Sequence, residues 1–150
     1  MRYVKSKFLF VFSVSALCIG TLALAHTGVK NMTVMARMQS MSALGDSVKV
    51  LGEMVKGNQA FDAAEARAAA EAIARHARET PTLFEAPETD PKSEALPVIW
   101  EDFTSFVAKS EALETVAADL AVSMQAEADL RSGLARIGTA CKACHEVYRK

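Results

Sequence analysis

Five residues near the C-terminus, Cys141-Lys142-Ala143-Cys144-His145, have types and a spacing that could do chemistry. A Cys-x-x-Cys-His run is the attachment sequence of a c-type haem. Three residues is close to one helical turn, so thiols at that spacing leave a helix on one side. From there they can add to two vinyl groups on one edge of a porphyrin. His145 follows directly and is placed to bring an imidazole nitrogen to the iron as proximal ligand. Three other chemistries compete for the same residues. A thioredoxin-like redox pair also uses two cysteines three apart, but at a helix N-terminus after a strand. Here the pair lies late in a helical pattern with no strand near it. A zinc site needs about four ligands, and only His26 and His76 remain to join. A disulfide closing so small a loop would add little stability.

The elements that must position this motif read as helices. The chain has 150 residues, 51% of them apolar and 23% charged, which fits one globular domain and excludes a disordered chain. Aromatics are scarce and alanine is abundant, which favours helix over sheet. The formal net charge is −1 and no basic patch is visible, which argues against nucleic-acid binding. Arg2, Lys5 and Lys7 open the chain, an uncharged run from Phe8 to Ala25 follows, and it closes on Ala23-Leu24-Ala25. This pattern reads as a secretory signal peptide over residues 1–25. An uncleaved membrane anchor is the competing reading. Cys18 follows Leu17, which is too large for the small residue that precedes a lipid-modified cysteine. Cleavage leaves residues 26–150 as one domain in an oxidising, periplasmic setting. It removes three of the 17 basic residues and no acidic one, leaving 14 against 18, a net −4.

Four helical stretches are expected in that domain. The first runs from about Val29 to Lys56, with Met41, Leu44, Val48, Leu51 and Val55 on one face and Gly57-Asn58 as its stop. The second starts at an Asp62 cap with Glu65 three residues on, is rich in alanine, and is expected to end at Thr80-Pro81. All four prolines fall in the connection from Pro81 to Pro97, which is long for a compact domain. The third begins after Pro97 and carries the clearest periodicity, Ile99, Phe103, Phe106, Ser110, Leu113, Ala117, Leu120 and Met124. The fourth repeats it at Leu130, Leu134, Ile137, Cys141, Cys144 and Tyr148. Between them, near Gln125 to Asp129, no Gly or Pro marks a turn, and one continuous helix is the alternative. Trp100 reads as core or loop packing, and His76 as a solvated residue in a charged stretch. The fold class expected is all-α, an antiparallel four-helix bundle with its haem near the C-terminus.

With Tyr148-Arg149 after the motif, on the last helix of such a domain, the sequence resembles the class II cytochromes c, the cytochrome c′ family. Met54-Val55-Lys56-Gly57 with Phe61-Asp62, and Leu96-Pro97-Val98-Ile99-Trp100, carry the resemblance through the rest of the domain. It implies one covalent haem c, with Cys141 and Cys144 as thioether cysteines and His145 as proximal iron ligand. It also implies that Arg37 lies near the haem propionates, Arg149 near the proximal face, and Met41 towards the iron from the distal side. Arg37 and Met41 are four apart and share a helix face. Met41 also belongs to a methionine-rich set, and methionine is an adaptable core filler.

The family implies one-electron transfer, binding of small gases such as NO or CO at an open site, or both. The residues after the cysteines lean towards the five-coordinate, open branch. The alternative is a low-spin His/Met electron carrier with Met41 as sixth ligand. A haem enzyme of peroxidase or gas-reducing type needs distal proton donors. The first-helix face offers Met and Leu instead, so no enzymatic activity is expected. A redox partner protein is implied but not identified. The small side chains of the second helix, with the first, suggest a homodimer face.

Overall fold

The computed structural model describes residues 28–150, and the expected leader over 1–25 and His26 lie outside them. Four long helices form the bundle: α1 (Met32–Val55), α2 (Ala63–Leu83), α4 (Phe103–Ser123) and α5 (Glu127–Tyr148). A single turn, α3 (Val98–Glu101), precedes α4. Among the described residues no helix is long and apolar enough to cross a membrane.

α1 starts three residues later than expected because Asn31 caps it, its side-chain oxygen accepting from the Val34 amide at 3.0 Å. Gly57 closes it at φ +77°, a left-handed conformation that glycine adopts without a steric penalty. Asp62 caps α2, accepting from the amides of Ala64 and Glu65 at 2.8 and 3.0 Å. α2 does not stop at Pro81 but continues through it to Leu83. A proline has no N–H for the carbonyl four residues back. That carbonyl, on Ala77, instead accepts from the buried Ser110 hydroxyl of α4 at 2.7 Å.

The third expected stretch is two helices, because the chain breaks at Asp102 (φ −134°, ψ 62°), which caps α4 through the Ser105 amide. The continuous-helix alternative for α4 and α5 does not hold either. Met124 leaves helical geometry, and Arg67 of α2 takes its freed carbonyl with two bonds of 3.0 and 2.8 Å. Asp129 reaches back to the amides of Gln125 and Ala126 to start α5. Gly133 sits buried against Leu120, where a Cβ would collide with the leucine side chain.

The main core joins Leu51 and Met54 of α1, Ile73 of α2, Leu120 of α4, and Leu130 and Ile137 of α5. The small residues of α2 are used inside this core. Ala66, Ala69, Ala70, Ala74 and Ala77 are buried, and α2 packs chiefly on α4 and α1. The buried side of this alanine stripe is covered by the chain's own helices, while Ala64 and Ala68 stay exposed. His76 is half-buried rather than solvated. α1 and α5 pack on the other helices and only sparsely on each other. The functional cavity opens between them.

Candidate haem site

The cavity has a volume of about 630 Å³. That is within the roughly 300–1,000 Å³ of ordinary cofactor pockets. Cys141, Cys144 and His145 line it from α5, Met38, Met41, Leu44 and Val48 from α1, and Phe106, Lys109 and Leu113 from α4. A smaller aromatic core at one end joins Phe84, Ile99, Phe106 and Tyr148. The Phe106 ring stands 5.1 Å from Phe84 and meets Tyr148 edge-on at 5.3 Å.

Both cysteines are free thiols, half-buried, and on the same cavity wall. Burial pushes both thiols above their ordinary pKa; at Cys144 the nearby Lys109 ammonium opposes the rise. His145, directly after them, is more exposed. Its pKa is lowered chiefly by desolvation, then by Arg149, against a raising effect of Glu94. A lowered pKa favours the neutral imidazole, the form that binds a metal. Among the described residues no group of three or more His, Cys, Asp and Glu side chains is arranged to hold a metal ion. The zinc reading therefore has no ligand set there.

Met41 lies one turn beyond Arg37 on α1 and packs against both the main core and the aromatic core. Met38 lines the same cavity, a second thioether that sequence reasoning did not single out.

Arg37 also lines the cavity, 3% exposed. Its guanidinium is largely engaged by the chain itself. Nε donates to the Leu83 carbonyl at 2.8 Å, Nη1 to Glu88 at 2.7 Å, and Nη2 to Ala86. It lies 4.7 Å from the Phe84 ring and 5.3 Å from Trp100. Trp100 donates to the Phe84 carbonyl at 2.7 Å. Four carbonyls between Leu83 and Glu88 thus receive side-chain donors from α1 and α3. Desolvation lowers the Arg37 pKa and Glu88 opposes it. Three of its five N–H groups go to carbonyls, which leaves two for a ligand carboxylate. Arg149, just past the end of α5, lines the cavity and is paired with Glu94. Sequence reasoning missed Glu94, because the partner lies 55 residues away in a loop.

A family model described as Cytochrome C′ matches residues 32–149. The chain belongs to the cytochrome c′ family. Cytochrome c-556 of Agrobacterium fabrum is 36% identical over 110 residues, spanning 73% of this chain and 75% of that protein. The structure of cytochrome c′ from Rhodopseudomonas palustris superposes with a TM-score of 0.75 at 29% identity, covering 81% of this chain and 98% of that one. The nitric oxide complex of a variant cytochrome c′ from Alcaligenes xylosoxidans superposes with a TM-score of 0.68 at 29% identity, covering 79% and 94%. Membership fixes the cofactor as a covalently attached haem c. The site fits that group: two free thiols, one imidazole and a cavity of cofactor size meet between two helices that scarcely touch. The cytochrome c′ fold here is the expected four-helix bundle.

Proposed function

We propose that this cytochrome c′ relative is an exported one-electron carrier whose haem is held by Cys141 and Cys144. His145 would ligate the iron from α5 and Met41 from α1. The observation that carries this reading is that Met41 and His145 line one cavity from two helices that scarcely touch. When bound, a haem c supplies an iron that cycles between ferric and ferrous states. The chain's part is to fix the ligands and exclude water. Leu44, Val48 and Leu113 give the cavity apolar walls, and a thioether ligand raises the potential of such an iron. The α1 wall offers no acid–base group apart from Arg37, which is engaged with carbonyls, so the reading stays with transfer rather than catalysis. Residues 1–25 would direct the domain 26–150 to the periplasm, where its redox partner would meet it.

A second reading is supported by the packing of Met41 against both cores. Held there as a filler, the thioether would leave the iron open to NO or CO, as in the nitric oxide complex of the Alcaligenes relative. Substitution Met41→Ala separates the two. A strong change from low-spin to high-spin absorption is expected if Met41 ligates. An almost unchanged spectrum would contradict ligation and favour the open site.

A further inference from the structure

Beside the cysteine–histidine motif, residues 93–96 and the end of the chain form a clasp at the cavity edge. The Leu96 amide donates to the Tyr148 carbonyl and the Lys150 amide to the Glu94 carbonyl, each at 2.9 Å. Ala95 and Arg149 form a single antiparallel bridge between them. The side chains close the clasp. Arg149 Nε donates to Glu94 Oε2 at 2.6 Å, and Arg149 Nη2 lies 2.5 Å from the same oxygen. Both side chains are about half exposed, so the pair adds little to folding stability.

Its place tells more. Glu94, Arg149 and His145 line the same cavity, and Arg149 stands one turn beyond His145. We propose that Glu94 is a positioning residue: it holds the Arg149 guanidinium beside His145 and offsets its charge there, so that the ion pair sets how readily the haem iron is reduced. This rests on the reading of His145 as proximal ligand. Reduction adds an electron, so a cation near the iron favours the ferrous state and an anion the ferric state. Paired with each other at the edge of the cavity that His145 lines, the two charges act in opposite senses.

The test is the midpoint potential of the haem-loaded protein, measured by spectroelectrochemistry at low and high salt. Glu94→Gln should move it upward and Arg149→Gln downward. The double variant should return close to the parent, and Glu94→Asp should largely restore it. The single-variant shifts should shrink as salt screens the charges. Amide hydrogen exchange at Leu96 and Lys150 provides the structural control. Faster exchange in Glu94→Gln with an unmoved potential would overturn the proposal, leaving the clasp a purely structural contact. Shifts of the same sign in the two single variants would also overturn it. Failure of the haem reading is seen separately, as a parent protein without haem absorption.

Discussion

Arg37 on α1 donates from Nε to the Leu83 carbonyl at the end of α2, 2.8 Å away, from a position only 3% exposed. Two further bonds, to Ala86 and Glu88, make this one guanidinium the anchor of the connection that walls the cavity.

Substitution Arg37→Ala would remove the guanidinium donor from these carbonyls and open the space between Phe84 and Trp100. Hydrogen bonds from a charged donor are worth about 1.5–3 kcal/mol each and these are only partly buried, so a loss on the order of 3 kcal/mol is expected in urea unfolding of the holoprotein. Arg37→Lys should recover little of it, because an ammonium cannot reproduce the planar fork. Full recovery with lysine would show that charge alone matters here.

Cys141 and Cys144 share one wall and are both unpaired thiols. Either single Ala variant should keep its haem covalently through the other sulfur. The double variant should release haem on denaturation, as seen by intact-protein mass. His145→Ala should keep covalent haem but lose stability, since the imidazole bond that would tie α5 to the iron is gone.

Ser110 bridges α4 to the Ala77 carbonyl that Pro81 cannot serve. Ser110→Ala should cost about 1–3 kcal/mol in thermal or urea unfolding, with haem absorption unchanged. A neutral result would mean that another donor reaches Ala77.

Gly133→Ala tests the close approach of α5 to α4. The added methyl meets Leu120 in a packed core, and overpacking of this kind costs typically 1–3 kcal/mol. Unchanged stability would show that Leu120 can move aside.

The helical pattern and the haem motif were legible because both depend on local spacing. Leu130, Ile137, Cys141, Cys144 and Tyr148 follow a period that only one helix face satisfies, and the structure places the first two and Tyr148 in the core. The breaks were harder to read. Pro81 sits inside α2 because Ser110, 29 residues later, serves the carbonyl it leaves free. α4 and α5 separate without Gly or Pro because Arg67, from α2, takes the Met124 carbonyl. Asp102 and Asn31 were readable caps that the stronger apolar periodicity overshadowed. Arg37 lines the cavity, and its engagement with residues 83–88 arises from a tertiary contact that spacing does not encode. Glu94 escaped notice for the same reason. The alanines of α2 were legible as small side chains that let a helix approach a neighbour closely, and Ala66, Ala69, Ala70, Ala74 and Ala77 pack that way inside the bundle.

The central claim, iron held between His145 and Met41, is tested most directly by the absorption spectrum of the reduced holoprotein before and after carbon monoxide. A low-spin spectrum that carbon monoxide leaves almost unchanged is the expected result. High-spin bands with ready carbon monoxide binding would contradict Met41 ligation, and absence of haem bands would contradict the whole account.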